Sequence, residues 1–126
     1  MKKDKPKRPK PSQRRKKRYI CFRIDYENHP IKRKDLISLI WNSVLQTIGE
    51  LGMGESELKL ISFDEEKQEG ILRCNHYMVD HVRFSLSLIS KINDGRVAIN
   101  VLGISGTIRS AREKFLGKER SPISQT

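Results

Sequence analysis

The chain has 126 residues with a formal net charge of +11 and 36% hydrophobic content, enough for one domain with a modest core. No apolar run reaches the ~18 residues a membrane-spanning helix needs. No secretory signal follows the first basic residues, so a soluble, cytoplasmic protein is expected.

Residues 1–18, MKKDKPKRPKPSQRRKKR, hold 11 of the 26 Lys and Arg and a single acid, Asp4. Residues 19–126 are close to neutral, with 15 basic and 14 acidic groups. The segment 1–17 reads as a disordered basic tail: it lacks apolar area to offset chain entropy, and Pro6, Pro9 and Pro11 forbid a regular helix. Arms of this kind seek a polyanion, nucleic acid first. The folded domain is expected over 18–116, and 117–126 as a flexible polar end.

Arg18–Tyr26 (RYICFRIDY) alternates, with Ile20, Phe22 and Ile24 on one side and Tyr19, Cys21, Arg23 and Asp25 on the other, as in a half-buried strand. The polar stretch ENHPIKRK follows. DLISLIWNSVLQTIGELG then draws one helical stripe through Ile37, Ile40, Trp41, Val44, Ile48 and Leu51, with Gly52 as the stop. ELKLISFD and ILRCN are strands joined by the turn EEKQEG, so they should pair antiparallel. NHYMVDHVRFSLSLISKI is a second helix, with Asn75 as N-cap and a stripe of Val79, Val82, Leu86 and Ile89. RVAINVLGI is a fourth strand, and 107–116 a third helix. The order β-α-β-β-α-β-α predicts an α+β, ferredoxin-like (RNA-recognition-motif-like) βαββαβ sandwich: a four-stranded antiparallel sheet with two helices on one face. The extra C-terminal helix is placed either beside the sheet or over its open face.

No catalytic set emerges. His29 lies in a loop, and His76 and His81 are five residues apart rather than the four of a zinc helix. Asp64, Glu65, Glu66 and Glu69 sit in a turn, where solvation outweighs a metal site. There is no GxSxG elbow. The loop after the first strand has no glycine, so it lacks the phosphate loop of small ferredoxin-like phosphatases. Cys21 and Cys74 are isolated thiols on strands. No catalytic residue, metal site or protein-bound cofactor is expected.

The sheet is also a poor base-stacking platform. Tyr19 is in place on the first strand, but ILRCN has no aromatic residue and the aromatic signature of that motif is missing. The remaining candidate is LGISGTIRSAREKF. Gly103 and Gly106 permit close backbone approach, Ser105 or Thr107 caps the helix, and Arg109, Arg112 and Lys114 supply charge. An ordinary capped helix with solvated cations is the competing interpretation.

The chain resembles the archaeal ribonuclease P protein component 2 proteins of the Pop-five family from about Lys17 to Leu116. The resemblance rests on KKRYICFRI, IWNSVLQTIGELG, LISFDEEKQEGILRCN, VRFSLSLIS and VLGISGTIRSAREKFL. It implies a ferredoxin-like fold and a non-catalytic protein subunit of the ribonucleoprotein that removes 5′ leaders from precursor tRNA. There the RNA is the catalyst and holds the magnesium ions. The implied partners are the catalytic domain of ribonuclease P RNA, the larger barrel-shaped protein component 3, a second copy in a dimer of pairs, and other ribonuclease P proteins, with precursor tRNA nearby. The expected RNA contacts are Lys16, Lys17, Arg18, Lys32, Arg33, Lys34, Gly103, Ser105, Gly106, Thr107, Arg109, Arg112 and Lys114. An apolar surplus at Leu39, Trp41, Phe84 and Leu88 is expected to meet a partner protein, with a deeper core as the rival. A generic RNA-binding or ribosomal ferredoxin-like protein is the alternative that composition alone leaves open.

Overall fold

The computed structural model describes residues 16–93 and 95–116. The tail assigned to 1–17 therefore falls outside the described residues except for Lys16 and Lys17, and the polar end at 117–126 falls wholly outside them. In chain order the elements are β1 (Lys17–Tyr26), α1 (Arg33–Ser56), β2 (Lys59–Asp64), β3 (Glu69–Asn75), a 3-10 turn (His76–Met78), α2 (Val79–Ser87), β4 (Lys91–Ile92), β5 (Gly95–Ser105) and α3 (Ile108–Phe115). The strands form one antiparallel sheet in the order β2-β3-β1-β5-β4.

The alternation of β1 decides the layering. Ile20, Phe22 and Ile24 enter the main core with Leu36, Ile40 and Val44 of α1 and Val79, Val82 and Leu86 of α2. Cys21 points to the other face and joins Ile71 and Ala111 in a second, smaller core, with Tyr19, Ile61, Leu102, Phe115 and Leu116 packed around it. The third helix thus folds over the sheet face that α1 and α2 leave open. A bulge at Leu102, between the partners of Cys21 and Phe22, turns that side chain toward α3.

Three details depart from the sequence expectation. The first helix runs past Gly52 to Ser56, but breaks at Gly49, whose φ of 74° and ψ of 177° suit glycine alone. Before the break the fully buried stripe is Leu36, Ile40 and Val44, with Ile37 and Trp41 flanking it; beyond it the helical phase is reset and Leu51 is exposed. The second helix stops at Ser87; its expected last residues, Lys91 and Ile92, instead pair with Arg96 and Gly95 as a short fifth strand. Asn93, with φ 54°, supplies the left-handed residue of that reversal. Asn75 does not cap a helix through its side chain, which is engaged elsewhere.

Candidate nucleic-acid interface

The start of β1, the end of β3 and the end of β5 meet at one end of the sheet, because Lys17 pairs with Asn75 and Tyr19 with both Arg73 and Ser105. Lys16 is exposed there, its carbonyl accepting the His76 N–H at 3.0 Å. Arg18 donates from Nη1 to the Lys17 carbonyl at 3.0 Å. The same Nη1 is 3.8 Å from where a Cβ on Gly106 would stand, so Arg18 borders the loop that opens α3. Lys17 is committed to the fold. Its Nζ donates to Glu57 Oε1 and to Asn75 Oδ1, both at 2.6 Å, and Asn75 Nδ2 donates to the Glu55 carbonyl at 2.6 Å. The Lys17 hydrogen bond holds the Glu57 carboxyl below the usual carboxylate range. The ammonium is thus a strut between β1 and the end of α1.

The stretch from Gly103 to Lys114 divides into parts with different tasks. Gly103 is the floor under Phe115: a Cβ there would stand 2.2 Å from two of its ring carbons. The missing side chain allows close helix–sheet packing. Ser105 is buried, with Oγ accepting the Thr107 N–H at 3.4 Å. Thr107 caps α3, its Oγ1 accepting the Ser110 N–H at 3.1 Å. Gly106 is exposed and, like Gly103, has no positive φ. Arg109 is exposed and donates to Glu113 Oε2 at 3.2 Å, a pair that solvent weakens. Arg112 lines an open groove with Asp64, Lys67 and Glu69 near the β2–β3 turn, and Lys114 is exposed.

Lys32, Arg33 and Lys34 are exposed in the loop and helix start that follow the far end of β1. The Arg33 N–H donates to Glu65 Oε2 at 2.8 Å. Gln68 clamps the approach to this loop, accepting the Ile31 N–H at 2.9 Å and donating to its carbonyl at 3.0 Å. The predicted cations therefore form two groups at opposite ends of the sheet. Lys16 and Arg18 join Gly106, Thr107 and Arg109, while Lys32–Lys34 and Arg112 lie among hairpin acids. Sequence reasoning missed Lys59 and Arg73, which register sets in line with Tyr19. Alternation places Arg73 on the Ile71 face, but the pairing that brings it beside Tyr19 is written only in the tertiary register.

Burial pushes the Cys21 thiol up to about 11, with Glu69 adding to the effect, and the Cys74 thiol up to about 12 against the pull of Lys17. Both stay protonated and unreactive near neutrality. Among the described residues, no three His, Cys, Asp or Glu side chains gather in a way that could hold a metal ion. Nor is any described helix long and apolar enough to cross a membrane.

Residues 18–116, from Arg18 through the end of α3, match the model of the Rpp14/Pop5 family. The chain belongs to that family. Ribonuclease P protein component 2 of Pyrococcus furiosus is 44% identical over 115 residues, covering 91% of this chain and 95% of that protein. The protein of the same name from Methanosarcina barkeri is 39% identical, covering 87% of this chain and 79% of that one. A chain in the cryo-EM structure of yeast ribonuclease MRP superposes with a TM-score of 0.61 at 17% identity, covering 74% of this chain and 76% of that one, a likeness of fold.

In this Rpp14/Pop5 chain the four apolar residues expected to meet a partner do not form one patch. Phe84 and Leu88, four residues apart on the outer side of α2, are 57% and 52% exposed. Leu39 and Trp41 are partly buried against the main core, as the deeper-core reading holds. Trp41 lies about 200° around α1 from Ser43, which donates to the Ser85 carbonyl of α2, so it faces away from Phe84. Leu45, which the sequence reading did not single out, and Leu51, which it placed in the buried stripe, are further exposed apolar residues.

Proposed function

We propose that this chain is a non-catalytic protein subunit of ribonuclease P, which binds and stabilises the catalytic RNA that removes 5′ leaders from precursor tRNA. The observation that carries the reading is the gathering of Lys16, Arg18, Gly106, Thr107 and Arg109 at the end of the sheet where the basic segment joins the fold. The names of the relatives supply the identity of the RNA. Cations there replace part of the counter-ion atmosphere of a compact RNA, and contacts to phosphate and ribose fix its position without reading sequence. Lys32, Arg33, Lys34, Arg112 and Lys114 make peripheral contacts in this reading, and Lys17 acts by holding the site together.

Hydrolysis belongs to the RNA and its magnesium ions, which this polypeptide aids by preorganising the RNA fold. Phe84 and Leu88 meet another protein of the particle, with protein component 3 and a second copy of this chain as the candidates, and the assembly works in the cytoplasm. Reconstitution tests the proposal. Added to ribonuclease P RNA and protein component 3 at low magnesium, the chain should raise precursor-tRNA cleavage above the level with component 3 alone. Equal cleavage with and without it would refute the proposal.

A further inference from the structure

Four strands each contribute one residue to a row across the sheet face that α3 partly covers. Lys59 of β2 stands opposite Arg73 of β3, Arg73 opposite Tyr19 of β1, and Tyr19 opposite Ser105 of β5. In the next row Ile71, Cys21 and Gly103 lie beneath Ala111 and Phe115. Tyr19 packs against that apolar cluster and remains partly exposed, which fixes its ring in place.

Charge on this face is unevenly settled. Lys17 is matched by Glu57 at 2.6 Å, and Arg23 by the buried Glu69 at 2.7 Å. The Arg73 side chain is partly buried, yet among the described residues it makes no hydrogen bond or ion pair, and its Nε is fully enclosed without a partner. Its charge helps hold the Glu57 carboxyl low, but that carboxylate is taken by Lys17. A partly buried guanidinium without an acceptor is unfavourable and is stabilised by an anion. Lys59 beside it is exposed and pairs with no acid among the described residues.

We infer that this row is a nucleotide site for an unpaired RNA residue, with the base against Tyr19 and its phosphate held by Arg73 and Lys59. The inference rests on the RNA-binding reading above and specifies it: the protein holds a splayed-out base as well as duplex phosphates. A fixed aromatic ring beside two uncommitted cations is the minimum stacking-and-phosphate set for single-stranded RNA. The row also lies where the segment 1–15, with eight Lys and Arg against one Asp, enters the fold.

The test uses the full chain with a fluorescein-labelled uridine dodecamer, a 12-base-pair RNA duplex and ribonuclease P RNA. Tyr19→Leu should weaken dodecamer binding roughly tenfold without changing its salt slope, and Tyr19→Phe should match the parent. Arg73→Gln should reduce the slope by about 0.7, the share of one single-strand phosphate. A dodecamer carrying 5-iodouridine should photo-cross-link to Tyr19 in the unaltered protein, a readout independent of any variant's folding. The site is overturned if folded Tyr19→Leu and Arg73→Gln bind as the parent does, or if cross-links avoid Tyr19. It is also overturned if ribonuclease P RNA binds while the dodecamer does not. In each of those results, weaker binding of ribonuclease P RNA by Lys16→Gln with Arg18→Gln keeps the general RNA reading intact. No binding of any RNA by the unaltered chain overturns both.

Discussion

Replacing Gly103 by alanine separates two accounts of the Gly103–Lys114 stretch. If Gly103 lets a phosphate approach the backbone, the methyl group should weaken RNA binding and leave stability alone. The structure gives it another task. The new Cβ would stand 2.2 Å from Phe115 Cε1 and Cζ. Carbon contacts are comfortable from about 3.5 Å, so the ring must retreat by more than about 1 Å. Ala111 is fully buried one turn earlier, so the ring cannot retreat without lifting α3 from the sheet. Overpacking of this kind costs about 1–3 kcal/mol. That is a sizeable part of the roughly 5–15 kcal/mol that holds a small domain together. Urea unfolding followed by circular dichroism should show the loss as a lower midpoint at constant slope, and thermal melting as a drop of about 4–8 °C per kcal/mol. Adding Phe115→Leu should restore part of it, because the smaller side chain leaves room for the methyl. An unchanged midpoint in Gly103→Ala, with RNA affinity alone reduced, would refute the packing account.

Gly49→Ala should destabilise the fold by about 1–3 kcal/mol, read by the same unfolding assay, because φ 74° with ψ 177° excludes a side chain although the space around it is open. A neutral result would mean that α1 straightens there at no cost. Glu57 is held low by Lys17, so its contribution is present above the ordinary carboxylate range near about 4.3 and is lost as pH falls through its folded value. The stability gap between the parent and Lys17→Met should therefore narrow on acidification below about pH 4; the effect is modest, since Glu57 is 61% exposed. With thiols at about 11 and 12, Cys21 and Cys74 should resist a disulfide reagent at pH 8 until urea unfolds the chain. Rapid labelling of the native protein would contradict their enclosure.

Much of this architecture is legible along the chain. Period-two alternation marks β1 and assigns its faces correctly, and the short polar turn EEKQEG forces a hairpin, whose connection in the structure is the four residues 65–68. The stripe Val79, Val82, Leu86 and Ile89 is buried as the helical spacing predicts. What escapes depends on single residues or distant pairs. One glycine, Gly49, shifts the phase of α1 and exposes Leu51. The two-residue strand β4 is too short for any period to show. Ala111 and Phe115, four residues apart, mark the inner face of α3, but not that it lies on Cys21 and Ile71, since that needs the sheet register.

The candidate site divides the same way. Its cations are visible as residue types, whereas their commitments are not: Lys17 meets partners 40 and 58 residues away, and Arg73 meets Tyr19 only through strand pairing. Gly103 and Gly106 look alike in sequence; one lies under an aromatic ring and the other beside the Arg18 guanidinium.

Hydrogen exchange of the full chain, measured with and without ribonuclease P RNA, tests the central claim most directly. The account predicts RNA-dependent protection at Lys16–Tyr19 and Gly106–Arg109, with the outer side of α2 around Phe84 unchanged. Protection confined to α2, or none at the β1 start and the α3 opening, would contradict it.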